Sequence, residues 1–243
     1  MRVVAEFAAE SQAVESISDL DRLLGAAAAE LGFRYHALVQ HGRPARAADA
    51  RLALLDYPGS WQERFDTDGL YEIDPVQRAC RTQLVGFAWS ELGKLIRLTP
   101  KQRQVLEESR RHGIGEGFTV PIHLPGERAA SCSFATRAGT ALPARNLMAA
   151  QLVGQFGFEV SRRITRARAT AAGHLSPRQR ECVLLMAQGK SDWEIGRILE
   201  LSEETVTKYL NAARSRFDVA RRTQLAIMAL HDGEIGFDEV LRH

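Results

Sequence analysis

The side chains best placed to do chemistry fall on one stretch near the C-terminus. Val206, Leu210, Ala213 and Phe217 recur at steps of four, three and four, the buried face of a helix. Glu204, Thr207, Lys208, Asn211 and Arg214 fall on the opposite face, where they can donate to phosphate or reach base edges in a major groove. Between Glu204 and Arg222 five basic residues (Lys208, Arg214, Arg216, Arg221, Arg222) stand against two acids (Glu204, Asp218). That local surplus matters because the whole chain, with 32 Lys and Arg against 30 Asp and Glu, is nearly neutral at +2. Nucleophilic and metal chemistry find no such support. There is no GxSxG elbow and no HxHxD cluster, and His36, His41, His112 and His123 lack ligand spacing. Cys80, Cys132 and Cys182 are scattered without a CxxC, as buried thiols in a reducing compartment would be. No metal and no cofactor is expected.

The elements that must present that helical face are short and sharply stopped. Ser176-Pro177-Arg178-Gln179 and Ser191-Asp192-Trp193-Glu194 each have the form of a capping box, and Gly189 ends the first helix. Ser202 caps a third helix, with Glu203 and Glu204 in its first turn suiting the helix dipole. The turn between the second and third helices is two to three residues long, which predicts a helix-turn-helix. A solvated helix face would have the same composition. Three capped helices in sequence, followed by an apolar helix over Leu225 to Leu230, favour DNA binding over that reading.

The rest of the chain reads as a separate domain. At 243 residues the length allows one or two domains, and 45% hydrophobic with 26% charged residues is the balance of a soluble globular protein. No apolar run approaches the ~18 residues of a membrane span, and Glu6 and Glu10 interrupt any signal-peptide core, so a cytoplasmic protein is expected. Val14, Ile17, Leu20, Leu24 and Leu31 predict an amphipathic helix over Gln12–Leu31, ended by Gly32. Phe33, Tyr35, Ala37 and Val39 alternate as a half-buried strand, and after the polar loop HGRPARAAD a short strand follows near Leu52–Leu55. Thr99-Pro100-Lys101-Gln102 caps a helix that stops at Gly113. Strands are predicted over Gly117–Leu124 and Ala129–Thr136, joined by a turn at Pro125-Gly126-Glu127. Pro143 opens a long helix with the apolar stripe Leu147, Met148, Leu152, Phe156, Val160, Ile164. The fold class is therefore α+β: an N-terminal α/β/α sandwich with an antiparallel sheet, then an all-α four-helix domain carrying the helix-turn-helix. The expected boundaries are residues 1–165 for the first domain, 166–174 for a linker and 175–243 for the second.

Two sets of residues carry a family resemblance. LSPRQRECVLLMAQGKSDWEIGRILELSEETVTKYLNAARSRFDV resembles the four-helix DNA-binding domain of the LuxR family of transcription regulators. It departs from the family pattern at Gln179, Val183 and Thr207; the last replaces a basic residue on the recognition helix, and Thr cannot make the bidentate contact of Arg to guanine. YPGSWQERF, DPVQRA, FAWSE and HGIGEGFTVPIHLPG are similar, in order and spacing, to the autoinducer-binding domain of quorum-sensing LuxR-type receptors. For an N-acyl-homoserine lactone, the resemblance implies that Trp61 donates to the lactone carbonyl and Asp74 accepts from the amide N–H. It implies further that Tyr57 and Ser133 hydroxyls serve the acyl carbonyl and that Trp89 packs on the lactone ring. Phe65 stands where the family has Tyr, removing one hydroxyl, and Val76, Val105, Leu106 and Ile114 are candidates for the wall facing the tail. On its own, Asp74 before Pro75 is also the pattern of a helix cap.

The expected function is thus a ligand-responsive transcription factor. Its partners would be a pseudo-palindromic double-stranded DNA operator, a second copy of the chain, an autoinducer and RNA polymerase. A regulator that folds and binds DNA without a lactone is the nearest alternative, motivated by Phe65. A lactone-hydrolysing enzyme is the alternative from another class.

Overall fold

The computed structural model describes residues 1–41, 52–124, 129–171 and 175–241. The loop at 42–50 and the predicted turn at 125–127 lie outside the described residues. The chain divides into two compact units, one spanning most of Met1–Ala167 and the other Arg168–His243.

The first unit opens with helix α1 (Arg2–Ser11), which burial of Val4 and Phe7 holds in place and which sequence periodicity did not mark. Helix α2 (Ile17–Glu30) starts later than Gln12, because the Ser16 Oγ accepts from the Asp19 N–H at 3.1 Å and fixes the N-terminus there. Val14 therefore lies outside the helix, whereas Leu20 and Leu24 are fully buried, each worth roughly 1.5–3 kcal/mol. Strands β1 (Tyr35–Gln40) and β2 (Ala53–Leu55) follow, then α3 (Gly59–Thr67), a short 3-10 turn, and α4 (Pro75–Cys80). Strand β3 (Phe87–Ala88), helices α5 (Leu92–Leu95) and α6 (Pro100–Arg111), and strands β4 (Ile114–Ile122) and β5 (Ala130–Arg137) complete the sheet side. The capping box at Thr99 and Gln102 forms as its residues suggest. Strand β4 begins three residues earlier than predicted, and the register between Ile114 and Gly117 is irregular.

The five strands run in the order β2-β1-β5-β4-β3, all antiparallel. Because side chains alternate, the two faces are chemically different. Leu38, Val120, Cys132 and Phe134 are fully buried on the face covered by α2 and the long helix α7 (Leu147–Ala171). Ala37, Val39, Ala53, Leu55, Ser131 and Ser133, matched across strands by register, line a cavity on the other face.

Helix α7 divides its predicted apolar stripe. Val160 and Ile164 are buried, whereas Met148 and Phe156 are 71% and 41% exposed. The inward face mixes Val153, Phe158, Val160 and Ile164 with small residues at the points of closest approach. A Cβ on Gly154 would sit 2.9 Å from the Cys132 Cβ, and one on Gly157 2.9 Å from a Leu24 methyl, so the glycines permit the close approach of helix to sheet and to α2. The helix also opens at Leu147 after a 3-10 turn at Ala144–Asn146, and the stretch read as helix tail and linker continues it to Ala171.

The second unit contains α8 (Pro177–Ala187), α9 (Asp192–Leu199), α10 (Glu203–Phe217), α11 (Arg222–His231) and the short α12 (Phe237–Val240). Side-chain caps from Ser176, Ser191 and Ser202 all form. The α9–α10 turn is tight: Glu200 adopts φ +56, and a Cβ on Gly196 would meet the Leu201 carbonyl oxygen at 2.7 Å. The predicted inner face of α10 (Val206, Leu210, Ala213, Phe217) is buried against Val183, Ile195 and Leu225 in one apolar core.

Candidate functional site

The cavity of about 210 Å³ on the open face of the sheet is reached by residues from seven helices and strands. Trp61 and Phe65 are one turn apart on α3, with ring centroids 5.7 Å apart, and Trp61 also lies 5.6 Å from the His112 ring. Tyr57 precedes α3 and packs against Tyr35 at 6.0 Å. Asp74 caps α4, its Oδ1 accepting from the Val76 N–H at 2.8 Å, with Pro75 in the first helical position. Val105 and Leu106 come from α6, Ile114 opens β4, and Ser133 projects from β5. All ten residues singled out in sequence for the ligand line this one cavity: Tyr57, Trp61, Phe65, Asp74, Val76, Trp89, Val105, Leu106, Ile114 and Ser133. Asp74 is both a helix cap and a cavity wall, so the two readings of that residue coexist.

The polar groups in this wall are few and differ in what they lack. Burial pushes the Asp74 carboxyl up to about 6, against the opposing pull of the Val76 and Gln77 donors. Burial raises the Tyr57 phenol too, with the Asp74 charge adding to it, so Tyr57 is a neutral donor. Among the described residues neither the Tyr57 hydroxyl nor the Trp61 indole N–H has a hydrogen-bond partner. Trp89 differs: its Nε1–H donates to Thr119 Oγ1 at 2.9 Å, and Thr119 Oγ1 lies 2.8 Å from Ser133 Oγ. Gly117 makes room for this ring, since a Cβ there would fall 2.3 Å from the indole. The arrangement suits a neutral molecule with an acceptor-rich head, one N–H and an apolar body.

Other wall residues went unnamed in sequence. Ala37, Val39, Ala53, Leu55 and Ser131 follow the period-two alternation of their strands, a signal sufficient to place them. Gln62, Asp66, Tyr71, Gln77 and Ser109 carry no comparable signal. The three thiols are free and buried, and burial raises Cys80 to about 12 and Cys182 to about 11.

On α10 the expected outward face divides. Glu204, Lys208 and Asn211 are exposed, with Glu204 and Lys208 paired at 2.8 Å. Arg214 is half-buried and donates to Asn211 Oδ1 and, at 3.2 Å, to the Ala220 carbonyl. Thr207 is turned toward its own domain: its hydroxyl donates to Asp192 Oδ2 at 2.7 Å. Asp192 also receives Arg222, whose other nitrogen donates to the Lys190 carbonyl at 2.8 Å. Asp192 and Arg222 thus tie α9, α10 and α11 together, a role that sequence reading did not give them.

Comparison with known proteins gives both halves counterparts. Residues 16–160 match the family model described as autoinducer binding domain, and residues 173–229 that of bacterial regulatory proteins of the luxR family. The transcriptional activator protein BjaR1 of Bradyrhizobium diazoefficiens is 30% identical over 203 residues, covering 82% of each chain. VanR of Vibrio anguillarum, also a transcriptional activator protein, is 29% identical over 93% of this chain and 95% of its own. Among solved structures, Escherichia coli SdiA superposes with a TM-score of 0.78 at 22% identity, covering 96% of this chain and 98% of that one. A second SdiA structure, in complex with octanoyl-rac-glycerol, superposes at 0.75 and 22% identity, covering 99% and 96%.

Proposed function

The chain belongs to the LuxR family of autoinducer-binding transcriptional regulators, and from that premise we propose that it binds an N-acyl-homoserine lactone and, as a homodimer in the cytoplasm, a pseudo-palindromic operator. The division of labour follows the expected boundaries, with residues 1–165 sensing, 166–174 linking and 175–243 reading DNA. One observation carries the ligand reading. Among the described residues Tyr57 and Trp61 offer donors without partners and Asp74 offers an acceptor, all on the wall of one largely apolar cavity. An acyl lactone supplies the complement: a lactone carbonyl for Trp61, an amide N–H for Asp74, an acyl carbonyl for Tyr57 and Ser133, and a tail against Val76, Val105, Leu106 and Ile114. Trp89 borders the lactone ring, and Phe65 backs Trp61.

Ligand burial stabilises the first domain by mass action, about 2.7 kcal/mol at a hundred times Kd. On α7 the exposed Met148 and Phe156, with the half-buried Leu152 between them at four-residue steps, give two copies a self-complementary face. Dimerisation places two α10 helices roughly 34 Å apart, where Lys208, Arg214, Asn211 and Glu204 meet successive major grooves and RNA polymerase is recruited beside them. Thermal melting of the full chain against N-acyl-homoserine lactones of graded chain length, with 1-octanoylglycerol as comparison, tests the reading. A rise in Tm that depends on acyl length supports it. No shift with any lactone, in protein that still binds its operator as a dimer, overturns it and marks a regulator that needs no signal.

A further inference from the structure

The polar floor of the cavity is organised by a side chain that does not line it. Trp89 Nε1 lies 2.9 Å from Thr119 Oγ1, which lies 2.8 Å from Ser133 Oγ. An indole N–H can only donate, so Thr119 is the acceptor in the first bond. Thr119 is fully buried, and among the described residues its hydroxyl meets no third partner. Its hydrogen therefore goes to Ser133, since the reverse order leaves a buried hydroxyl hydrogen without an acceptor. Ser133, having accepted from Thr119, has its own hydrogen left for the cavity. The chain is built into the fold: Thr119 and Ser133 are register partners on β4 and β5, and the bare Gly117 lets the indole lie against the sheet.

We propose that Thr119 is a positioning residue that sets the polarity of ligand recognition: it fixes Ser133 as a hydrogen-bond donor and so requires an acceptor, such as a carbonyl oxygen, at that point of the ligand. This rests on the lactone reading above. The test uses the full chain and N-octanoyl-homoserine lactone as probe, with Kd measured for wild type, T119V, T119S, S133A and the T119V/S133A double variant. T119V weakens binding about threefold to tenfold, the worth of one hydrogen bond, T119S restores it, and T119V adds nothing once Ser133 is gone. The indole Nε1–H resonance of Trp89 in the ligand-free protein moves on T119V and stays on T119S. Additive losses in the double variant, or a Trp89 resonance unmoved by T119V, overturn the proposal. If the wild type binds no lactone, the ligand reading falls separately and the Trp89 resonance alone decides the chain. If T119V does not fold, the Thr119 hydroxyl proton in the wild type decides it: slow exchange and proximity to Ser133 support the proposal, and their absence overturns it.

Discussion

Asp74→Asn probes the cavity through a carboxylate whose ionisation its surroundings oppose. The substitution is nearly isosteric, and Asn caps a helix as well as Asp, so the bond to the Val76 N–H survives. What changes is the charge. The folded-state value is raised from 3.8 to about 6, and at 1.36 kcal/mol per unit the ionised group costs the ligand-free fold about 3 kcal/mol above that pH. The direction follows from linkage: a raised value means that the folded state holds the proton more firmly, so this group's stabilising contribution is complete below about pH 4 and is lost as pH rises through about 6. Between pH 5 and 7.5 the ligand-free wild type should therefore lose roughly 1–2 kcal/mol relative to the Asn variant. Urea unfolding of the ligand-free full chain across that range, read at the fluorescence of Trp61 and Trp89 in a Trp193→Phe background, measures the difference. A ligand N–H donated to the carboxylate favours its charged form, so lactone affinity in the wild type should fall as pH drops through about 6, while the variant binds weakly with little pH dependence. Parallel stability curves for the two proteins would refute the argument, because they would place Asp74 in contact with water.

Other substitutions follow from single contacts. Gly117→Ala drives a methyl into the Trp89 ring, where the Cβ would lie 2.3 Å away, and should cost about 1–3 kcal/mol and lower Tm by several degrees in differential scanning calorimetry. Lys208→Ala should reduce the log–log salt slope of operator binding by about one; an unchanged slope would remove Lys208 from the phosphates. Asn211→Ala should alter sequence preference in operator competition while leaving that slope nearly unchanged. Met148→Glu with Phe156→Glu places charges on exposed positions, so monomer stability should move by less than about 0.5 kcal/mol while sedimentation shifts from dimer to monomer.

Legibility in the sequence tracked the size and polarity of side chains. The DNA-binding half was readable almost to the residue because capping serines, stop residues and a three-four apolar step all act within one helix. The strands on the cavity side were readable for a similar reason, since alternation assigns a face without knowledge of the partner. Thr119 went unnamed and Thr207 was placed on the DNA-facing side, because a hydroxyl is equally at home in a wall, a cap or an exposed surface. Which of these it occupies depends on a partner fourteen or fifteen residues distant, Ser133 and Asp192 respectively.

Helix α7 was legible only as a helix with an apolar stripe. Apolar spacing alone does not say which part of the stripe is buried: Val160 and Ile164 are, while the closest contacts with the sheet and with α2 are made at glycines. Gly154 against Cys132 and Gly157 against Leu24 bring the backbone closer than any larger side chain would allow. Once those glycines face inward, helical geometry carries Met148 and Phe156 outward. An apolar stripe on a long helix is thus a statement about which surface avoids water, and the small residues opposite it decide whether that surface belongs to the core or to a second molecule.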